Sequence, residues 1–335
     1  MLTDNKIAVA PIEPATVSTN GGTTTVSFPI TEGYVGVYPT SQPNYIRGTF
    51  SHSGGLKLTA GGKSLDLTDF IVNPGTSSLT ATVAGKSAAP VLDLDGTNLK
   101  VTKDGANTRL DGTIAKISQT GADALNKTFG VSLFKGGIPL GVVHVVANGT
   151  AGPGGAPTAE LLALEGVATS VDLDPATVKV LTDNKVSVAP VEPATVSESG
   201  GITSVSFPIS EGYVAVYPAS EPNYIRGAFS HTGGLKFSAG GKSITVTDFI
   251  VNPGTSTLSA TVEGKGVAKI LDLDGTNVKV SQDGKNTKLD GTIAKLSQTG
   301  ADALNKTFNV SLFKAGIPLG MVHVVATGTP APAGK

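Results

Sequence analysis

The chain has 335 residues, a formal net charge of −1 and 15% charged residues, and it contains neither cysteine nor tryptophan. Without cysteine no disulfide can form, and no thiolate can act as nucleophile or metal ligand. Basic residues are scattered, which leaves no electrostatic footprint for nucleic acid and no polybasic arm for an anionic membrane; no apolar run reaches the ~18–20 residues of a transmembrane helix.

The same module is written twice. Residues 2–147 reappear as 181–326 without insertion or deletion, and roughly three quarters of the positions are identical. A repeat this long is a whole domain, so each copy is expected to fold around its own core. The expected organisation is a first module over 1–150, a linker over 151–158, a second module over 159–328 and a Pro/Ala tail over 329–335. Abundant Gly, Thr, Ser and Val favour turns and strands over helix.

In chain order, 7–12 and 23–30 alternate as strands do. Leu56-Lys-Leu-Thr59 and Leu65-Asp-Leu-Thr68 flank Ala60-Gly-Gly-Lys63, a hairpin signal. Short strands follow at 79–83, 91–94 and 99–102, with Asp95-Gly96 and Asp104-Gly105 as turns, and 113–117 alternates again. Ala122, Leu125 and Phe129 fall at helical spacing behind Thr120 as the expected N-cap. Ile138-Pro-Leu-Gly-Val-Val-His-Val-Val146 reads as a buried strand, with His144 as a core histidine. Ala151-Gly-Pro-Gly-Gly-Ala-Pro157 is a flexible joint. Beyond it, 159–180 has no counterpart ahead of Leu2. Val167, Thr169, Val171 and Leu173 alternate as one strand face. Asp174-Pro175 then starts a short helix through Val178 and Leu181, which Asn184 is expected to end in the left-handed conformation. The first copy therefore lacks an opening strand: either it is shortened or another chain supplies the strand. The fold class expected is mainly β, two tandem β-sandwich modules, each with one or two short helices.

Candidate chemistry is sparse. All six tyrosines belong to one patch and its copy. Tyr34 and Tyr38 share a strand face, with Tyr45, Arg47 and His52 just downstream. The second copy repeats them as Tyr213, Tyr217, Tyr224, Arg226 and His231. Aromatic rings, an arginine and a loop histidine could hold a flat or anionic ligand by stacking and charge-assisted hydrogen bonds; cross-strand aromatic pairs that only stiffen a sheet are the other reading. Leu92-Asp-Leu-Asp-Gly-Thr-Asn98 looks like part of a calcium loop, but Asp104 stands where a closing glutamate would be, so a turn is expected and no metal site. No nucleophile elbow, phosphate loop or zinc motif occurs, and the chain is expected not to be an enzyme.

From Phe28 onward the order of motifs resembles the HtaA-type haem-transport domain of actinobacterial cell-surface proteins. The motifs are Phe28-Pro-Ile-Thr-Glu-Gly33, Phe50-Ser-His-Ser-Gly-Gly-Leu56, Leu65-Asp-Leu-Thr-Asp-Phe70, Leu79-Thr-Ala-Thr-Val83, Leu92-Asp-Leu94 and Ile117-Ser-Gln-Thr-Gly-Ala-Asp-Ala-Leu125. The resemblance covers roughly 110 residues per module. It implies a β-sandwich, an extracellular or cell-surface location and haem as ligand. The family's iron ligand is a tyrosine on an early strand beside a tryptophan, and this chain has neither there; His52 matches the histidine that supports that tyrosine. Two function classes stand at this point. One is a non-catalytic tandem binding module. The other is a structural or adhesive repeat of an extracellular array, with neighbouring copies exchanging strands across an open edge. The chain opens at Met1-Leu-Thr-Asp with no leader in view, as a mature secreted form or a cytoplasmic protein would.

Overall fold

The computed structural model describes residues 7–41, 45–85, 88–105, 107–149, 159–221 and 224–330. The expected linker at 151–158 lies outside them. The chain divides into two compact units, Met1–Gly155 and Ala156–Lys335, both mainly β.

Unit 1 runs through β1 (Ala8–Ile12), β2 (Thr16–Asn20), β3 (Thr23–Ser27), β4 (Ile30–Val37), β5 (Ile46–His52), β6 (Gly55–Ala60), β7 (Lys63–Asn73), β8 (Ser78–Val83), β9 (Ala88–Asp95), β10 (Lys100–Asp104), β11 (Asn107–Ile117), helix α1 (Gln119–Phe129) and β12 (Pro139–Asn148). Unit 2 runs through β13 (Ala159–Leu173), α2 (Pro175–Asp183), β14 (Ser187–Val191), β15 (Thr195–Ser199), β16 (Ile202–Val216), β17 (Ile225–His231), β18 (Gly234–Ala239), β19 (Lys242–Asn252), β20 (Thr257–Val262), β21 (Gly266–Asp274), β22 (Lys279–Asp283), β23 (Asn286–Leu296), α3 (Gln298–Phe308) and β24 (Pro318–Pro330). The last strand thus passes the expected module end at 328.

Local chemistry accounts for the joints. Ala60 pairs with Lys63 across Gly61 and Gly62, whose φ values of +56° and +75° define a primed hairpin turn that glycine alone enters without strain. Helix α1 is capped by Ser118, two residues before the expected Thr120. The Ser118 Oγ accepts from Gly121 N–H at 2.9 Å and donates to Pro90 O at 2.6 Å, so the cap also ties the helix to β9. Asp174 caps α2 as expected, accepting from Thr177 N–H at 2.8 Å. Its end differs: Asn184 stays at φ −95° and donates its Nδ2–H to Val180 O, while Lys185 takes the left-handed turn at φ +54°. A side-chain amide satisfies the last-turn carbonyl, and the reversal moves one residue on.

All strand pairs are antiparallel, and the two units close differently. In unit 2 the ladder runs β13–β16–β17–β19–β20–β21–β23–β24, and β24 pairs back onto β13. The strands form a single sheet that closes on itself as a barrel-like ring rather than two separate sheets facing each other, so this ring has no free edge. Unit 1 follows the equivalent path β4–β5–β7–β8–β9–β11–β12 and stops. Among the described residues nothing pairs with the outer edge of β4 or of β12.

Strand β13 is 15 residues long, about twice the length its alternation suggested. Its C-terminal half pairs with the first half of β16 and its N-terminal end with the second half. This keeps 202–216 as one strand. The matching stretch of unit 1 falls into β3, which pairs only with β2, and β4. The core follows suit. Unit 2 has one continuous buried apolar cluster, including Leu164, Val205, Phe207, Ile209, Val322 and Val324. Unit 1 has separate clusters: one around Leu58, Leu65 and Ile117 under α1, one around Phe50, Val72 and Leu94, one around Phe70, Ala81 and Val91.

Candidate functional site

Inside the ring of unit 2 lies a cavity of about 710 Å³. Its wall is built by strand alternation. On β17, Ile225, Phe229 and His231 point inward, and Phe207 on β16, Phe249 on β19 and Leu258 on β20 face them. Phe207 and Phe249 meet edge to face at 4.8 Å between centroids, and Phe229 lies 5.5 Å from the His231 ring. The polar groups are few. Thr169 comes from β13, Tyr224 stands just before β17, and Asp174 and Asp274 lie where the wall meets α2 and the β21 turn.

His231 is buried and fully engaged. Phe249 O can only accept, so Nδ1 carries the proton and donates to it at 3.0 Å, leaving Nε2 to accept from the Thr169 hydroxyl at 2.6 Å. Desolvation lowers its pKa to about 4 against the opposing backbone hydrogen bond, so the ring is neutral at neutral pH. His52 repeats half of this: Nδ1 lies 3.3 Å from Phe70 O, and burial lowers its pKa to about 4 as well. Among the described residues of unit 1 no hydroxyl takes the place of Thr169.

The tyrosine and arginine patch is divided. Tyr224 lines the cavity and donates its hydroxyl to Val278 O at 3.1 Å; Tyr45 does the same to Leu99 O at 3.3 Å. Tyr213, Tyr217 and Arg226 do not line it. They lie on the other face of β16 and β17, where the Arg226 guanidinium stacks on Tyr217 at 3.8 Å and pairs with Glu221 at 3.0 Å. Arg47 stacks on Tyr38 at 4.3 Å, and Tyr34 and Tyr38 flank Gly36. Arginine and histidine are five positions apart on one strand, which puts them on opposite faces.

Two other sequence features resolve locally. Asp95 Oδ1 takes Thr97 N–H and Oγ1–H at 3.0 and 2.6 Å, and Oδ2 takes Lys116 Nζ at 2.7 Å; Asp274, Thr276 and Lys295 repeat this. Those bonds, Lys116 and Lys295 first, hold both carboxyls well below the usual carboxylate range. Among the described residues no His/Asp/Glu group is arranged to hold a metal. His144 is not a core residue. It is exposed and sits 2.8 Å from Asp111, because the valines around it on β12 face an open edge. Its counterpart His323 lies between Asp290, at 3.0 Å, and Asp172 of β13, at 3.3 Å and off-line for a hydrogen bond.

Of the residues singled out from the sequence, His231 and Tyr224 line this cavity, whereas Thr169 and the phenylalanine wall were missed. Phe229 and His231 stand two apart on one strand, a readable same-face pair; Thr169 becomes their neighbour only when β13 docks.

Fold and site together define a mainly β protein of two tandem modules, one enclosing an apolar chamber. No family model and no curated protein matches the chain. Among solved structures it is similar to the C-terminal domain of HtaA from Corynebacterium glutamicum, at 16% identity and a TM-score of 0.34, covering 49% of this chain and 98% of that one. It is also similar to the heme-binding protein HtaB from Corynebacterium glutamicum, at 11% identity and a TM-score of 0.31, covering 51% and 97%. Likeness at this level carries no functional argument. No helix among the described residues is long and apolar enough to cross a membrane.

Proposed function

We propose that the chain is a non-catalytic binding protein of the cell exterior, and that the chamber of unit 2 is its pocket for an apolar small molecule. The chamber itself carries the reading. Protein cores are close-packed with few voids larger than a water molecule, whereas ligand pockets have ~300–1,000 Å³, mostly apolar walls and a few placed polar groups. The unit 2 chamber is of that size, with an aromatic and aliphatic lining and a neutral His231–Thr169 pair as polar reference point.

Haem needs an axial iron ligand, and a cation near its propionates favours binding through charge-assisted hydrogen bonds. Both His231 nitrogens are engaged, the Tyr224 hydroxyl is given to Val278, and the charged lining residues are the acidic Asp174 and Asp274. Arg226 is held on the far face by Tyr217 and Glu221. The residues present do not fit haem or an anionic ligand at this wall, and a neutral ligand suits it better.

The test is titration with a neutral apolar fluorophore such as Nile red, alongside haemin. One fluorophore per chain is expected, lost on Ala294→Phe, which fills the chamber from β23. Binding unchanged in that variant, or a stoichiometric Soret shift with haemin, would sink the reading.

A further inference from the structure

We infer that unit 1 is a strand acceptor: the gap between β12 and the β3–β4 edge takes an extended polypeptide strand with the chemistry of β13. This goes beyond the ligand reading, and unit 2 shows what the gap is shaped for. There the same gap holds Ala159–Leu173, antiparallel to both neighbours. Its receptor positions on β16 have their counterparts on β3, the 28–29 link and β4, and those at Gly320–Thr327 of β24 have theirs on β12.

On the β24 side, Val171 pairs with Val322 and Thr169 with Val324; the unit 1 equivalents are Val143 and Val145 of β12. On the β16 side, Asp172 pairs with Ser204 and Thr169 with Phe207; the equivalents are Thr25 and Phe28. Two side-chain partners stand ready as well. Thr169 bonds His231 in unit 2, and His52 occupies that place in unit 1. Asp172 reaches His323 in unit 2, and His144 occupies that place with Asp111 already beside it.

The apolar surface tells the same story. Ile209 and Val216 are 5% and 9% exposed, whereas their counterparts Ile30 and Val37 are 36% and 51% exposed. The sharpest sign is a glycine. A Cβ at Gly320 would lie 2.3 Å from Asp172 O of the docked strand, but a Cβ at Gly141, its equivalent, would meet nothing within 4 Å. Gly141 is needed only when a strand lies across it. Its backbone is not in the left-handed region, so a side chain there strains nothing in unit 1 itself.

The occupant is thus defined chemically. It is extended, runs antiparallel to β4 and β12, and carries an inward hydroxyl to meet His52, a β-branched apolar residue two positions on, and a carboxylate to meet His144. Main-chain hydrogen bonds to both edges would supply affinity and those side chains the register, as in other strand-addition complexes.

The test uses the whole chain, whose unit 2 gap is already filled, and a labelled synthetic peptide of the sequence Ala159–Leu173. Saturable binding of one peptide per chain is expected, with new amide-exchange protection on β3, β4 and β12. Gly141→Leu should weaken it about tenfold or more by steric block while leaving the unfolding midpoint of the peptide-free chain unchanged. A peptide with Val171→Asp should also bind poorly. The inference is overturned if the peptide fails to bind, if Gly141→Leu binds as the parent does, or if protection appears on β16 and β24 instead.

Discussion

Unit 1 and unit 2 are nearly the same sequence, and among the described residues unit 2 has strand β13 and helix α2 with no counterpart in unit 1. Tyr213 is fully buried and Tyr34 half-buried; Val205, Phe207 and Ile209 are core, while Val26, Phe28 and Ile30 are half-buried or exposed. None of these differences comes from the residues themselves. Adding β13 to one copy joins β3 and β4 into a single strand, merges separate apolar clusters into one, closes the ladder and gives the histidine its hydroxyl. Burial here is a property of the assembled ring, and a single edge strand sets it for elements on both sides of the gap.

The largest effect that should separate the units is Gly320→Leu against Gly141→Leu. The first drives a side chain into the Asp172 carbonyl and should cost unit 2 several kcal/mol, about 3–5, through loss of β13 packing. The second should stay within about 0.5 kcal/mol. Denaturant unfolding followed by residue-resolved amide exchange reads both; equal costs would erase the distinction between an occupied and an open gap.

Acid should act on both units alike. An unfolded histidine titrates near 6.5, whereas His52 and His231 titrate near 4 because burial disfavours their charged form. Between those values the unfolded chain binds protons that the native chain refuses. Stability is therefore full above pH 6.5 and falls as pH drops toward 4, by on the order of 3 kcal/mol for each histidine. His231→Gln should flatten that slope in unit 2 alone and His52→Gln in unit 1 alone. A slope that survives both would assign it to other groups.

A paired truncation sharpens the contrast further. Val205→Ala removes methyls from a continuous core and should cost about 2 kcal/mol. Val26→Ala, the same change on the isolated β2–β3 hairpin, should cost less than about 0.5 kcal/mol. The ratio, measured by denaturant midpoint, reports how much of that face β13 buries. Smallest of all should be Lys116→Ala and Lys295→Ala. Both lysines bond surface aspartates in the same geometry, and such pairs contribute little once screened by water and salt. Their effects should be equal in the two units, since neither touches the gap; a marked difference would mean the gap's influence reaches the β9 and β21 turns.

Much of this architecture was readable from local pattern. The primed turn at Gly61 and Gly62 and the Asp174-Pro175 helix start follow from dihedral preference, and the two-module organisation from comparing the repeats. The site was readable only in part. His52 and His231 were singled out because a histidine before a glycine pair is conspicuous, and His231 lines the cavity. The clustering of tyrosines on short strands hid the fact that alternation sends Arg226 and Tyr217 to one face and His231 to the other. His144 looked buried among valines, yet a valine strand is buried only if something covers it, and at β12 nothing described does. Thr120 looked like the cap because it precedes the helical spacing; Ser118 wins because it also reaches Pro90 across the chain.

By itself, then, the order of amino acids determined the periodicities, the turns, the caps' chemistry and the duplication, since these depend on neighbours within a few residues. Which valines are core, which histidine has a partner, and that one module encloses a chamber while its twin presents an open groove were decided only in three dimensions. Closure requires a strand distant in sequence to lie between β16 and β24, and no local preference of either flank encodes whether that strand is there.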